Sequence, residues 1–432
     1  MFEFLPEFVV SRKWVEIMAP SGRISGSVEL PLSKSICNRL LVLNHLSEDR
    51  IRYSGLSGAS DTLVMKACLD KIRGCNGRGS LTLDTGNAGT VMRFLMPMLC
   101  HTPGKWILTG DHRMQERPVG ALVKALRSLG AEIQYIRRQG YPPVVIRGSR
   151  LDGGKVAIDA SMSSQFLSAL LLVAPFLKGG LEIQPGRDAV SATYVEMTLK
   201  LMEKAGIRIA KKDHTLRVFP WVQHPAIHEI NVERDWSSAA FFYGASVLSG
   251  HAAFLLKGLS MHTVQGDSRV AGYFAPLGVE TDEIADGMRI RTTLAKRSDV
   301  DLSLRDVPDL APVLISVMAA LPLHGFIRDI AHIRYKESDR LEILFQQLKN
   351  NGFDLLRIPG GLHVTDKFHP RDAYVFDPAG DHRLAMSFAL LALPLKKIYL
   401  AGPDCVMKSF PGFWEQMIHL GFSIHETDPH FY

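Results

Sequence analysis

Five cysteines in 432 residues, Cys37, Cys68, Cys75, Cys100 and Cys405, are scattered and odd in number, which excludes a disulfide framework as the basis of the fold. No CxxC pair and no HExxH motif is present, so no metal is expected. Long apolar runs are missing too. Glu3, Glu7, Arg12, Lys13 and Glu16 break the stretch from Met1 to Pro20, which therefore reads as neither a secretory core nor a membrane span. A cytoplasmic location without a membrane partner is the expectation. Low-complexity blocks are absent, and so is any basic run with interleaved aromatics, so the formal charge of +6 does not point to nucleic acid. The cations stand singly, beside Gly, Ser, Asp and Glu at the edges of apolar segments, a placement that suits small anionic substrates.

What is present is repetition. A chain of this length exceeds one ordinary core and predicts at least two domains. Helical segments that end in Gly and run directly into a short alternating strand recur at intervals of about seventy residues, with glycines at 130, 206, 278, 352 and 421 and a looser copy from Met65 to Gly74. A second set of helices keeps the same beat and is almost wholly apolar, which predicts burial. Their bodies are Leu40 to Leu46, Val91 to Leu99, Phe166 to Leu177, Ala239 to Leu248, Ala311 to Leu321 and Leu384 to Leu393. Strands are expected at Ser80 to Leu83, Trp106 to Thr109, Pro143 to Arg147 and Lys155 to Ile158.

The apolar helices begin in polar, chemically loaded residues: Lys34-Ser35, Asn87 to Thr90, Ser163 to Gln165, Asp235 to Ser238, Asp309, and Asp381 to Arg383. Capping accounts for the Ser and Asp choices, with Ser33 or Ser35 able to cap the first of these helices. It does not account for Lys34, Gln165, His382 and Arg383, because a cation in a first turn opposes the helix dipole unless an anion lies between. If the helix starts face one cleft, they form an anion trap. Three further clusters are charged: Asp111 to Gly120, Tyr335 to Leu341 and Pro403 to Pro411. In the second, Glu337 and Arg340 stand three apart and can share a helix face.

Seven motifs, Pro31 to Arg39, Gly86 to Arg93, Arg113 to Pro118, Ser163 to Gln165, Lys336 to Arg340, Asp381 to Arg383 and Asp404 to Pro411, resemble in order and spacing those of the 5-enolpyruvylshikimate-3-phosphate synthase family. The resemblance implies an α/β fold of two pseudo-symmetric domains, each built from three βαβαββ units with buried helices, an inside-out α/β barrel. It places one domain at 1–30 plus 235–432 and the other at 31–234, with a hinge near 30–34 and 234–235. It implies transfer of the enolpyruvyl group of phosphoenolpyruvate to shikimate 3-phosphate by addition and elimination, with release of phosphate, by a monomer that needs no cofactor.

By the same resemblance, Asp309, Glu337 and Lys34 are the catalytic residues, Asp309 as base at the substrate ring and Glu337 as proton relay at the pyruvyl carbon. Lys34, Gly89, Arg113, Gln165 and Lys408 hold the phosphate end of phosphoenolpyruvate. Arg340 and Arg383 hold its carboxylate. Shikimate 3-phosphate falls to Lys34, Ser35, Arg39, Ser163, Ser164, Gln165, Ser191, Tyr194, Asp309, His332 and Lys336. Leu32, Cys37, Phe94 and His332 depart from the family's usual residues, and a histidine at 332 raises the question of a pH-dependent contact. The sister transferase that acts on a UDP-amino sugar fits less well, since Lys34 is followed by Ser35 rather than Asn and the loop from Arg113 to Pro118 lacks a cysteine. A plain anion-binding protein would not need the complete set of acids.

Overall fold

The computed structural model describes residues 13–75, 80–188, 190–221, 228–293 and 299–428. Its architecture is one motif repeated. Strand Ser80–Asp84 leads into the apolar helix Gly89–His101, which returns the chain to a parallel strand, Gly104–Thr109. The amphipathic helix Gly120–Ser128 follows, and then a hairpin, Glu132–Tyr135 and Val144–Gly148, whose second strand pairs antiparallel with Gly104–Thr109. A parallel neighbour requires a crossover of this kind, whereas the antiparallel pair needs only a turn. Four further sheets of four strands show the same order of one parallel and two antiparallel pairings among the described residues. A sixth, of two strands, pairs Ile51–Ser54 with His228–Asn231 in parallel and has no hairpin among the described residues.

Apolar periodicity decides which helix goes inside. All nine residues of Ala311–Ala319 are buried, as are eleven of the thirteen in Gly89–His101. Helices Lys34–Leu46, Gly89–His101 and Ser164–Val173 lie in one hydrophobic core, and Trp236–Ser249, Ala311–Ala319 and His382–Ala389 lie in another. Each fully buried Leu, Ile or Phe there contributes about 1.5–3 kcal/mol through apolar surface removed from water. The fold thus has the α/β architecture expected, with the sheets outside and the apolar helices within.

Five of the predicted glycine stops take the left-handed conformation that a side chain resists, at φ +92° for Gly130, +73° for Gly206, +91° for Gly278 and Gly352, and +93° for Gly421. The looser copy differs, since Gly74 lies inside the helix Ser60–Cys75. Two apolar helices are shorter than their apolar runs. Ser164–Val173 gives way to a 3-10 turn that contains Pro175, and His382–Ala389 is followed by a separate short helix, Ala392–Leu395, that contains Pro394. A proline ring clashes with the carbonyl four residues back and lacks an N–H to continue the ladder.

Chain passes between the cores twice, and the two passages run side by side. The Ser33 N–H donates to the Glu233 carbonyl at 2.9 Å, the Asp235 N–H donates to the Pro31 carbonyl at 2.9 Å, and Leu32 bridges antiparallel to Arg234. This pairing explains Leu32. Its side chain packs over Gly55, where an added Cβ would lie 2.7 Å from Leu32 Cδ1. Cys37 also finds a role, with its buried sulfur accepting from the Ser57 N–H at 3.2 Å and its thiol pushed up to about 11 by burial.

Candidate active site

Five of the six loaded helix starts meet at one small cavity. It is lined by Lys34 and Ser35, by Thr90 and Phe94, by Ser164 and Gln165, by Asp309, and by Arg383, with Arg39, Asp61, Tyr194, Lys336 and Glu337 completing the wall. Its volume is about 40 Å³. A wider cleft of about 720 Å³ opens beside it and shares Asp61 and Glu337, with Asn87, Arg113 and Lys408 among its lining residues. Residues from both cores line each space.

One guanidinium organises the acids. Arg340, only 1% exposed, donates to Glu337 Oε2 at 2.6 Å, to Asp309 Oδ1 at 3.1 Å and to Asp381 Oδ2 at 2.7 Å. Asp381 in turn caps its helix by accepting from the Arg383 N–H at 3.0 Å. The Arg383 side chain reaches Asp309 Oδ2 at 3.0 Å, and Lys336 Nζ lies 3.4 Å from Asp309 Oδ1. Burial pushes the pKa of Asp309 up, but Arg383, Lys336 and Arg340 outweigh it and hold the group well below the usual carboxylate range. Glu337 is held low in the same way, against its burial, by Arg340, Arg117 and Lys408. Both acids are therefore ionised at neutral pH. His382, fully buried, is kept neutral by burial and by Lys34 nearby, so it does not act as a cation at its helix start.

The cations of the opposite side share a different acid. Lys34 Nζ and Lys408 Nζ contact the two oxygens of Asp61 at 3.1 and 3.0 Å, and Lys408 also donates to the Asn87 carbonyl at 2.7 Å. Arg113 crosses between the cores, donating to the Glu337 carbonyl at 3.2 Å and to Glu116 at 3.1 Å. Gln165 accepts from Arg93 at 2.5 Å and donates to Thr90 at 3.0 Å. Gly89 is needed for closeness, because an added Cβ would lie 2.5 Å from Arg117 Nη2.

Other expected residues frame the space. Ser163 caps its helix by accepting from the Gln165 N–H at 3.3 Å. Ser33, by contrast, makes no capping bond, and its buried hydroxyl has no partner. Ser191 takes a left-handed backbone with φ 58° at the start of Ala192–Lys204. Arg39 acts mainly as a brace, donating to Thr198 at 2.7 Å and to the carbonyls of Ser35 and Tyr194 at 2.8 and 3.0 Å, with Phe94 beneath its guanidinium. His332 lies buried in the 3-10 turn Ala331–Tyr335 with Nε2 unpartnered, and burial together with Lys336 pulls it down to about 4. It is neutral at pH 7, so His332→Asn should leave the shape of the pH–rate profile between about pH 6 and 8 unchanged. Steady-state rates across that interval check this, and a displaced limb would show that the imidazole titrates there.

Sequence reasoning missed Asp61, and it did not assign Asn87, Arg93, Arg117 or Asp381 to the site. Asp61 gave no local signal, lying in an ordinary amphipathic helix start. Arg117 and Asp381 did stand in conspicuous motifs, and their adjacency to Gly89 and Arg340 emerges only in three dimensions.

Comparison with known proteins agrees with this picture over nearly the whole chain. Residues 18–417 match the profile of the family described as EPSP synthase (3-phosphoshikimate 1-carboxyvinyltransferase). A 3-phosphoshikimate 1-carboxyvinyltransferase of Bacteroides fragilis is 37% identical over 413 residues, covering 94% of this chain and 98% of that protein. One from Pseudoalteromonas translucida is 35% identical over 418 residues, covering 92% and 97%. The solved structure of EPSP synthase from Acinetobacter baumannii superposes with a TM-score of 0.75 at 23% identity, covering 96% of this chain and 100% of that one, and so shares the fold.

Proposed function

The chain belongs to the EPSP synthase family and is an enolpyruvyl transferase, moving the enolpyruvyl group of phosphoenolpyruvate to shikimate 3-phosphate in the shikimate pathway, and from that premise we propose how its residues divide the work. The observation that supports the division best is the ion-pair lattice in which Arg340 joins Asp309 and Glu337. Six cations, Lys34, Arg113, Lys336, Arg340, Arg383 and Lys408, are engaged by the protein's own carboxylates. Incoming substrate anions compete for them. Arg340 and Arg383 offer planar forks that fit the carboxylate of phosphoenolpyruvate, while Lys34, Gly89, Arg113, Gln165 and Lys408 take its phosphate.

Sharing those cations raises the pKa of Glu337 from its depressed value toward the range in which a carboxyl both gives and takes a proton. In the addition step Asp309 takes the proton of the attacking hydroxyl, and the enol methylene gains one from Glu337. In elimination the new methyl group returns that proton to Glu337, and the proton held on Asp309 leaves with the departing phosphate, which restores the carboxylate. Ser35, Arg39, Ser163, Ser164, Ser191, Tyr194, His332 and Lys336 hold shikimate 3-phosphate.

The two-domain division at 1–30 plus 235–432 and 31–234, hinged at 30–34 and 234–235, accords with the separate cores and the paired passages between them. The domains part to admit the substrates and close around them to exclude water during turnover. We take the protein to act as a cytoplasmic monomer.

Phosphate release measured with phosphoenolpyruvate, with and without shikimate 3-phosphate, tests this reading. Release should require both compounds; release without the shikimate compound, or none from well-folded protein, would sink it. Glu337→Gln keeps the hydrogen-bonding shape and removes the proton shuttle, so kcat should fall about 10³-fold with KM little changed. Single-turnover quench experiments would separate this from a loss of binding.

A further inference from the structure

Tyr194 is held from the far side of the cleft. It stands on the helix Ala192–Lys204, part of which packs in the core that contains Lys34–Leu46, yet its hydroxyl lies 3.0 and 2.9 Å from the two carboxylate oxygens of Asp267. Asp267 belongs to the 3-10 turn Gly266–Arg269, which leads into Val270–Phe274 of the other core. It is 3% exposed and also accepts from the hydroxyl of Ser237, at the start of the fourth apolar helix, Trp236–Ser249. The seam around it is closed by three more bonds. The Ser191 N–H donates to the Arg305 carbonyl at 2.9 Å, the Thr193 hydroxyl to the Asp306 carbonyl at 2.6 Å, and the Ala192 N–H to Asp306 Oδ1 at 3.3 Å. Gly266 lies so close that an added Cβ would meet Thr193 Cβ at 2.1 Å.

A carboxylate suits this place because it accepts two hydroxyls at once and has no proton that either must avoid. Burial, then Asp309, raise Asp267 to about 6, against Arg383 and the two hydroxyls, so it is mainly ionised at pH 7. Tyr194 lines the small cavity, and its ring is fixed at the hydroxyl end only when the two cores meet.

We propose that Asp267 is a positioning residue for shikimate 3-phosphate recognition: it fixes Tyr194 across the seam, so that this wall of the substrate pocket is complete only in the closed arrangement. The inference rests on the assignment of Tyr194 to the shikimate 3-phosphate site. An ion-assisted hydrogen bond contributes about 1.5–3 kcal/mol. Asp267→Ala should therefore raise KM for shikimate 3-phosphate at least about tenfold, while KM for phosphoenolpyruvate and kcat change much less. Tyr194→Phe should do the same, and the double variant should be no worse than either single one, because both remove one interaction.

Asp267→Asn retains an acceptor for Tyr194 and should recover most of the affinity. If Asp267→Ala does not fold, the cycle is run with Asp267→Leu, which keeps the side-chain volume and removes both acceptors, and non-additivity with Tyr194→Phe remains the expected result. Additive effects, or an equal rise in both KM values, would overturn the proposal by reducing Asp267 to a structural residue. An effect of Tyr194→Phe without one from the Asp267 variants would overturn it and leave the assignment of Tyr194 standing. Normal kinetics in Tyr194→Phe would remove that assignment and the inference together.

Discussion

Replacing Lys34 by Met is expected to abolish turnover and leave the fold intact. Lys34 and Lys408 share Asp61, one on each oxygen, so removing Lys34 does not leave a buried carboxylate alone. Methionine preserves most of the apolar stem that packs at the helix start. What disappears is a positive charge at the cavity where anionic groups would gather, and loss of a single preorganised contact to developing charge costs about 10²–10³ in rate. Thermal unfolding and circular dichroism should match the parent protein while coupled phosphate release falls to background. Ordinary activity in this variant would contradict the role given to Lys34.

Arg340→Met is expected to do the opposite kind of damage, to the fold as well as to activity. Three acids lose a partner at once, and Asp381 among them is fully buried. Breaking a buried pair from one side typically costs about 3–5 kcal/mol because the remaining charge is uncompensated. The pH dependence follows from the direction of the shifts. Asp309 and Glu337 have native pKa values held below those of the unfolded chain, so their contribution to stability is full above the ordinary carboxylate range and is lost as pH falls from that range through the depressed native values. The deficit of Arg340→Met should accordingly be largest near neutrality and shrink below about pH 4, where protonated acids no longer require the cation. Urea unfolding midpoints at several pH values measure this, and a deficit independent of pH would assign the loss to packing alone.

The contrast between these two lysine and arginine positions shows where sequence carries structure and where it does not. Gly130, Gly206, Gly278, Gly352 and Gly421 were legible because a left-handed stop after a helix is a local requirement that few other residues meet. The six apolar helices were legible for a similar reason, since a helix without a polar face has only the interior to occupy. Their ends were less so, with a 3-10 turn at Pro175 taking over from one of them and a separate short helix, Ala392–Leu395, following another. Asp61 was not legible at all. Its partners lie 27 residues away at Lys34 and inside the last repeat at Lys408, and nothing in the helix Ser60–Cys75 distinguishes it from a solvated acid. Ser33 misled in the other direction: its backbone is drawn into the pairing with Glu233, and its hydroxyl never turns to cap the helix.

The sheet that contains both ends of the described chain sets an order of events during synthesis. Strand Trp14–Met18 pairs on one side with Lys397–Ala401 and on the other with Ser423–Thr427. It is made before either partner, and finds none until residues 397–427 have followed. The inserted core, by contrast, holds its buried residues almost entirely between Ile36 and Val232 and is complete in sequence while the last repeats are still being made. Domains close as units when their chain is available. Pulse-labelled nascent chains halted near residue 300 should therefore protect the inserted core from protease, with Trp14–Met18 still open to cleavage until the final strand emerges.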